Sequence, residues 1–231
     1  MDDTNVTAEN DPPLPESLRR VILSDLAPVK PLAPAYRRAI LLVPWTLIAL
    51  ATFWSKFGFR SDLAELGPVL AWGLSLVQLL LALMVAVVSL RESSPGSGLP
   101  KAVVWACAAG ALAFHLAGLA LSFEQTSLSP PPDLHGVELR ACLFYELLIA
   151  APLLLLGLWL LGRGLPLRPT LGGALAGLAA GLLADSSWRL ICPFSLPSHV
   201  LPSHTGAILA LVALGAVSGS LIDRLRSSRR R

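Results

Sequence analysis

The sequence predicts an all-α fold, a polytopic membrane bundle of six transmembrane helices. The chain has 231 residues, of which 54% are hydrophobic, and its mean hydropathy is +0.66. These values exceed the usual composition of a soluble domain. A helix needs about 20 mostly apolar residues to cross the hydrocarbon core of a bilayer. Six segments meet that need, at 39–57, 68–90, 102–123, 142–161, 170–191 and 206–222.

The positive charges predict how these segments are oriented. Of the eighteen Lys and Arg residues, fourteen lie on one side of the six segments and four lie on the other. The sparse side carries Lys56, Arg60, Arg140 and Arg189. Because Lys and Arg accumulate in cytoplasmic loops, both termini are expected in the cytoplasm.

This topology divides the chain into three parts. Residues 1–38 are a cytoplasmic arm, residues 39–222 are the six-helix transmembrane domain, and residues 223–231 are a basic cytoplasmic tail. The tail is rich in Arg and follows a span directly, so we expect it to anchor on anionic lipid. The lipid bilayer is therefore a predicted partner, and direct binding of nucleic acid is not expected.

The arm contains one amphipathic pattern, between residues 16 and 26, in which apolar residues recur at helical spacing. So short a helix is marginal alone in water. It suits a segment that docks on the membrane surface or folds into a groove of a partner protein. The candidate partner-binding residues are Leu18, Arg19, Arg20, Val21, Ile22 and Leu26.

Two of the three cysteines are expected at the same membrane boundary. Cys142 opens the fourth segment and Cys192 follows the fifth, so oppositely directed helices bring both to the extracytoplasmic side. Cys107 lies roughly 20 Å away by helix rise and is expected to be a small buried residue. The outer pair fits a static disulfide, two free thiols, or a sensor of oxidants or soft metals.

Further polar residues fall near this boundary. Glu146 lies one turn below Cys142, and Asp185 lies two turns below Cys192 with Arg189 one turn beyond it. A carboxylate inside a membrane segment is a functional hypothesis by default, here as support for the sensing site. The alternative is that Asp185 pairs with Arg189 and that Glu146 hydrogen-bonds a neighbouring helix.

The histidines add a metal site to the possibilities for these polar residues. His199 and His204 follow Cys192 and could join Cys142 and Glu146 as ligands, although the spacing is not diagnostic and the metal stays unknown. His115, in the middle of the third segment, is expected to be packed and hydrogen-bonded. No cofactor is predicted.

The fifth segment is expected to pack closely on another helix. Gly173, Gly177 and Gly181 repeat every four residues, which leaves one helix face nearly bare. The neighbour could be the fourth helix of the same chain or a second subunit, so a homo-oligomer stays open.

Several of these features together resemble the NrsF (DUF1109) family of bacterial inner-membrane anti-sigma factors. The resemblance runs over nearly the whole chain and is most specific between residues 140 and 206. It rests on the arm from Leu18 to Arg37, the six segments, Cys142, the turn 164–169, the small-residue run 172–181, and Cys192-Pro193 with His204. The family often has His directly before the second Cys, whereas this chain has Ile191.

The resemblance implies a regulator and not an enzyme. Its cytoplasmic arm would hold an extracytoplasmic-function sigma factor away from RNA polymerase, and oxidants or heavy metals at Cys142 and Cys192 would trigger release. The residues alone also fit a small substrate-binding transporter subunit, in which Glu146, Asp185 and His115 would face one cavity. A membrane thiol oxidoreductase is the other alternative, although such chemistry usually uses a CxxC pair, which this chain lacks.

Overall fold

The computed structural model describes residues 15–25, 32–94, 96–126 and 136–228, and these residues form helices and connecting loops without strands. The all-α prediction is confirmed. The helices are α1 Glu16–Asp25, α2 Ala35–Ala39, α3 Val43–Phe57, α4 Leu63–Pro68, α5 Leu74–Arg91, α6 Lys101–Thr126, α7 Gly136–Gly162, α8 Pro169–Trp188, α9 Pro197–Val200 and α10 Gly206–Ser228.

Short helical turns join some of these helices into longer segments. Among the described residues, five segments are long and apolar enough to cross a membrane, and they match predicted segments one, two, three, four and six. They are Ala35–Phe57, Leu63–Arg91, Lys101–Glu124, Arg140–Gly162 and Pro197–Leu225. The fifth predicted segment corresponds to α8, which is not among them because its Gly and Ser residues and Asp185 lower its hydropathy.

Helix α8 is the central helix of the bundle. Every residue from 175 to 192 is buried, and the main neighbours of α8 are α10, α5 and α7. A helix surrounded by protein does not need the apolarity of one that faces lipid. Burial therefore explains how α8 can have a lower hydropathy than the five long apolar segments.

The glycine stripe of α8 packs on α10 and not on α7. A Cβ atom added to Gly173 would overlap with the carbonyl oxygen of Gly215, and one added to Gly177 would overlap with that of Leu211. At Gly181 it would lie 3.0 Å from the Cα atom of Ile208. The two backbones are thus in direct contact along three turns, which only glycine allows.

A break in the chain lies near the start of the second apolar segment, Leu63–Arg91. Gly67 has a φ of 71°, which interrupts the helix, and Pro68 starts the next helical stretch. Proline suits this first position because its fixed φ is helical and its missing N–H would have no partner there. The helical stretch after the break therefore starts at residue 68, where the sequence predicted the second segment to begin.

A buried arginine, Arg38, binds the ends of two helices of the bundle. The guanidinium of Arg38 donates to the carbonyl oxygens of Leu90 (2.9 Å) and Leu160 (3.3 Å), and to Ser93 Oγ (3.1 Å). These carbonyls belong to the last turns of α5 and α7, where backbone acceptors lack helical partners. Arg38 therefore ties the beginning of the first span to the ends of two others.

The chain divides into two units, Met1–Leu32 and Ala33–Arg231. Helix α1 belongs to the first unit and the bundle forms the second. Its apolar side chains are exposed, from 44% at Ile22 to 64% at Val21. The predicted contact residue Leu26 and the tail residues 229–231 lie outside the described residues.

Candidate functional site

The two outer cysteines meet in the structure. Cys142 lies near the start of α7 and Cys192 lies four residues beyond the end of α8, and their Sγ atoms are 3.5 Å apart. Both are buried free thiols. Cys107 is a partly exposed free thiol in α6. A disulfide needs the two sulfurs about 1.5 Å closer than they are here.

A histidine completes this cysteine cluster. His199 Nε2 lies 3.5 Å from Cys192 Sγ, and the ring contacts Phe194 at a centroid distance of 4.9 Å. One ligand atom from each of Cys142, Cys192 and His199 can be chosen so that all lie within 4.8 Å of one another. Two sulfurs and one imidazole nitrogen form a donor set that suits zinc and softer metals. His199 thus supplies the third donor of the cluster, and the side chain of Ile191 has no donor atom to offer.

An aromatic cavity adjoins the cysteines. Its volume is about 380 Å³, and both thiol residues contribute to its wall together with Phe57, Tyr145 and Trp188. The three aromatic rings pack edge to face or tilted, with centroids 5.2 to 6.1 Å apart. Both buried thiol residues therefore border a cavity of small-molecule size.

A second cluster of polar groups lies deeper in the bundle. His204 Nδ1 is 2.7 Å from Asp185 Oδ1 and 3.2 Å from Glu146 Oε2. Asp185 and Glu146 are 0% exposed and His204 is 2% exposed. A π-helical turn, Leu201–Thr205, precedes α10 and carries His204, in keeping with the frequent appearance of such turns at functional sites.

Asp185 is held by partners other than the Arg189 suggested by the sequence. Its Oδ2 atom accepts a hydrogen bond from Gln78 Nε2 (2.6 Å) and contacts His115 Nδ1 (3.2 Å). The Arg189 guanidinium donates instead to Gln78 Oε1 (3.3 Å) and to Ser122 Oγ (3.4 Å). Arg189 lies just beyond the end of α8, and its side chain reaches across to α5 and α6.

The expectation of a packed and hydrogen-bonded His115 agrees with its contacts. Its Nε2 atom is 3.1 Å from Thr205 Oγ1, and its Nδ1 atom faces Asp185. His115 therefore meets Asp185 directly, and Glu146 approaches the same carboxylate through His204. Gln78 is not among the residues predicted from the sequence, although an amide within an apolar segment is a signal that could have revealed it.

The two clusters adjoin each other. The rings of His199 and His204 have centroids 5.8 Å apart, which brings the histidine of the cysteine cluster close to the histidine of the carboxylate cluster. Arg60 fixes the loop beside them, because its guanidinium binds the Asp62 carboxylate (2.7 Å), Ser195 Oγ (2.8 Å) and the Arg189 carbonyl (3.2 Å). The site thus joins helices α5, α6, α7 and α8 to the start of α10.

Comparison with known proteins identifies the family. The model of the family described as NrsF, negative regulator of sigma F, matches residues 23–224. The chain belongs to this NrsF family. The Anti-sigma-F factor NrsF of Caulobacter vibrioides (strain NA1000 / CB15N) is 31% identical over 196 residues, which cover 83% of this chain and 90% of that protein. No solved structure matches the chain.

Membership of the NrsF family confirms the resemblance found in the sequence. The family is one of anti-sigma factors, which indicates a regulatory role and a sigma factor as partner. The five long apolar helices agree with a membrane protein. The clusters around Cys142 and Asp185 therefore lie inside the helical bundle of a transcriptional regulator.

Proposed function

We propose that this NrsF-family protein holds an extracytoplasmic-function sigma factor at the bacterial inner membrane. Oxidants or thiophilic metals that reach Cys142 and Cys192 would release it. The observation that carries the sensing half of the proposal is the 3.5 Å approach of two buried free thiols beside an aromatic cavity. Family membership supports the capture half.

The proposal includes six spans with both termini in the cytoplasm. Helix α8 supports this because its 20 residues extend about 30 Å, the thickness of a hydrocarbon core. Reporter fusions test the count. A fluorescent protein that folds only in the cytoplasm should fluoresce when it is fused after residue 231. Alkaline phosphatase, which is active only outside the cytoplasm, should be active when it is fused after residue 195. An active phosphatase after residue 231 would contradict it.

The arm provides the proposed contact with the sigma factor. Leu18, Val21 and Ile22 fall on one face of α1 and are 44% to 64% exposed. An amphipathic helix with an unburied apolar face is a common way to fill a groove of a partner. Arg19 borders that face and could add a charge contact, whereas Arg20 lies nearly opposite it.

Signal transfer would run through α8. Closing the gap between the sulfurs would pull the start of α7 towards the end of α8. Helix α8 is pressed against α10 along the glycine contacts. At the other end of α8, the Gly172 carbonyl accepts a hydrogen bond from Ser89 Oγ of α5 (2.7 Å). Four residues after Ser89, Ser93 accepts a hydrogen bond from Arg38. Release then requires the sigma factor to prefer one of the two states.

Affinity purification from the native host tests capture and trigger together. Tagged full-length protein in detergent would be isolated before and after diamide or cadmium treatment, and its partners identified by mass spectrometry. We expect a sigma factor before treatment and its loss afterwards. The Cys142→Ser, Cys192→Ser variant should retain the sigma factor under treatment, whereas the matched Cys107→Ser variant should release it.

The possible outcomes separate the two halves of the proposal. If no sigma factor is isolated from the untreated protein, the capture role is wrong. If the double variant releases its partner as readily as the unaltered protein does, the capture role stands and the cysteine pair is not the sensor.

A further inference from the structure

The carboxylate cluster has the geometry of a cation site separate from the cysteines. One ligand atom each from Glu146, Asp185 and His204 can be chosen so that all lie within 4.8 Å of one another. Ligands of a tetrahedral zinc ion lie about 3.3 Å apart, because its bonds to nitrogen and oxygen are about 2.0–2.1 Å long. The 3.2 Å between His204 Nδ1 and Glu146 Oε2 matches that separation. The 2.7 Å between His204 Nδ1 and Asp185 Oδ1 is about 0.6 Å shorter, so an ion would push this pair slightly apart.

The hydrogen bonds of this cluster do not satisfy both carboxylates. His204 Nδ1 carries at most one proton, which the 2.7 Å contact with Asp185 would use. Neither oxygen of the fully buried Glu146 has a hydrogen-bond partner among the described residues. Burying a carboxylate without a partner is costly. A divalent cation between the three side chains would balance the charge of both acids and give Glu146 a bonded partner.

The surroundings of Asp185 resemble the outer shell of a metal site. Its Oδ1 atom faces His204, whereas its Oδ2 atom is fixed by Gln78 and His115. Metal-ligating carboxylates are commonly oriented in this way by outer hydrogen bonds, which also raise the affinity for the ion. One oxygen of Asp185 is thus positioned by the protein and the other is directed into the cluster.

The donor atoms indicate the class of ion. Two carboxylates and one imidazole, with no thiolate, suit a borderline divalent ion such as zinc more than a soft ion such as cadmium or copper(I). We propose that Glu146, Asp185 and His204 bind one zinc-type divalent cation, which joins α7 and α8 to the turn before α10. This site goes beyond the proposed sensing function and is chemically distinct from the cysteine pair.

Zinc titration of the full-length protein tests this site. The Cys142→Ser, Cys192→Ser variant would be purified in detergent, stripped with a chelator and titrated with zinc against a chromophoric competitor. We expect it to bind one zinc per chain. Adding Glu146→Gln should weaken binding at least tenfold, because the substitution keeps the shape and removes the ligand charge. Glu92→Gln is the matched control, since Glu92 is a buried acid that pairs with Arg168 instead (3.2 Å).

X-ray absorption at the zinc edge provides a measurement that needs no variant of the cluster. In the cysteine-pair variant we expect only nitrogen and oxygen neighbours, at about 2.0–2.1 Å. Failure to bind zinc, unchanged affinity after Glu146→Gln, or a sulfur neighbour of the zinc would each overturn the proposal. The titration needs no sigma factor, so its result is independent of sigma capture.

Discussion

The sulfur atoms of Cys142 and Cys192 lie 3.5 Å apart although fifty residues separate them in the chain. A movement of about 1.5 Å would bring them to bonding distance. We therefore expect diamide to form an intramolecular disulfide that removes two alkylatable thiols per chain. Mass spectrometry of the alkylated protein would identify the linked peptides.

Cys107→Ser is the control for this experiment, because Cys107 is not part of the cysteine cluster. The variant should form the same disulfide as the unaltered protein. A disulfide that contains Cys107, or chains that link only to one another, would show that the two outer thiols do not meet in the membrane.

The close contact between α8 and α10 predicts a strong response to one added methyl group. Alanine at Gly177 would overlap with the backbone of Leu211, so the helices must separate, at a cost of roughly 1–3 kcal/mol. Alanine at Gly110 is the matched control. A Cβ there meets nothing within 4 Å, and alanine favours an exposed helix by up to roughly 1 kcal/mol.

Thermal unfolding in detergent would measure the difference between these two glycine variants. We expect Gly177→Ala to unfold at a lower temperature than the unaltered protein and Gly110→Ala to unfold at the same or a higher temperature. Equal unfolding temperatures would show that α10 does not pack on the glycine stripe in the detergent-solubilised protein.

Much of this arrangement could be predicted from local patterns. The period of four in Gly173, Gly177 and Gly181 indicates a bare helix face, and the positions of Cys142 and Cys192 at segment ends indicate a shared boundary. The neighbour of the bare face could not be predicted, because the stripe describes one helix and not its partner. In the structure that partner is α10.

The network around Asp185 shows a second limit of sequence reasoning. The one-turn spacing to Arg189 suggested an ion pair, since residues four apart are neighbours on a helix. The structure instead brings Gln78, more than one hundred positions earlier, against the Asp185 carboxylate. A long-range contact of this kind depends on how the helices pack, which residue spacing within one helix does not reveal.

The buried contacts of Arg38 predict that replacing it destabilises the protein more than replacing its neighbour Arg37. Arg38→Met should remove the hydrogen bonds to Leu90 and Leu160 and lower the free energy of unfolding by roughly 2–3 kcal/mol. Arg37→Met should change it by less than about 0.5 kcal/mol, since Arg37 is exposed and its guanidinium contacts only Tyr36 among the described residues. Unfolding in detergent would measure both. If both variants lose a similar free energy of unfolding, the positive charge near the membrane stabilises the protein and the buried hydrogen bonds of Arg38 do not.

The last prediction concerns the face of α1. Ile22→Asp places a charge within the predicted contact face and should weaken sigma factor binding by at least tenfold, which corresponds to about 1.4 kcal/mol. Leu23→Asp is the matched control. Leu23 is 58% exposed in the same helix, but it lies about 100° further around the axis, away from Leu18 and Val21.

Binding of the purified sigma factor to the full-length variants in nanodiscs would compare the two substitutions. The proposed face requires Ile22→Asp to weaken binding and Leu23→Asp to leave it nearly unchanged. Equal losses would mean that any charge added to α1 disrupts the helix or its contact. If both variants bind the sigma factor as well as the unaltered protein does, the contact lies outside α1. An apolar groove of the partner should exclude an acid, so Ile22→Asp could not leave binding unchanged if the exposed side chain of Ile22 entered that groove.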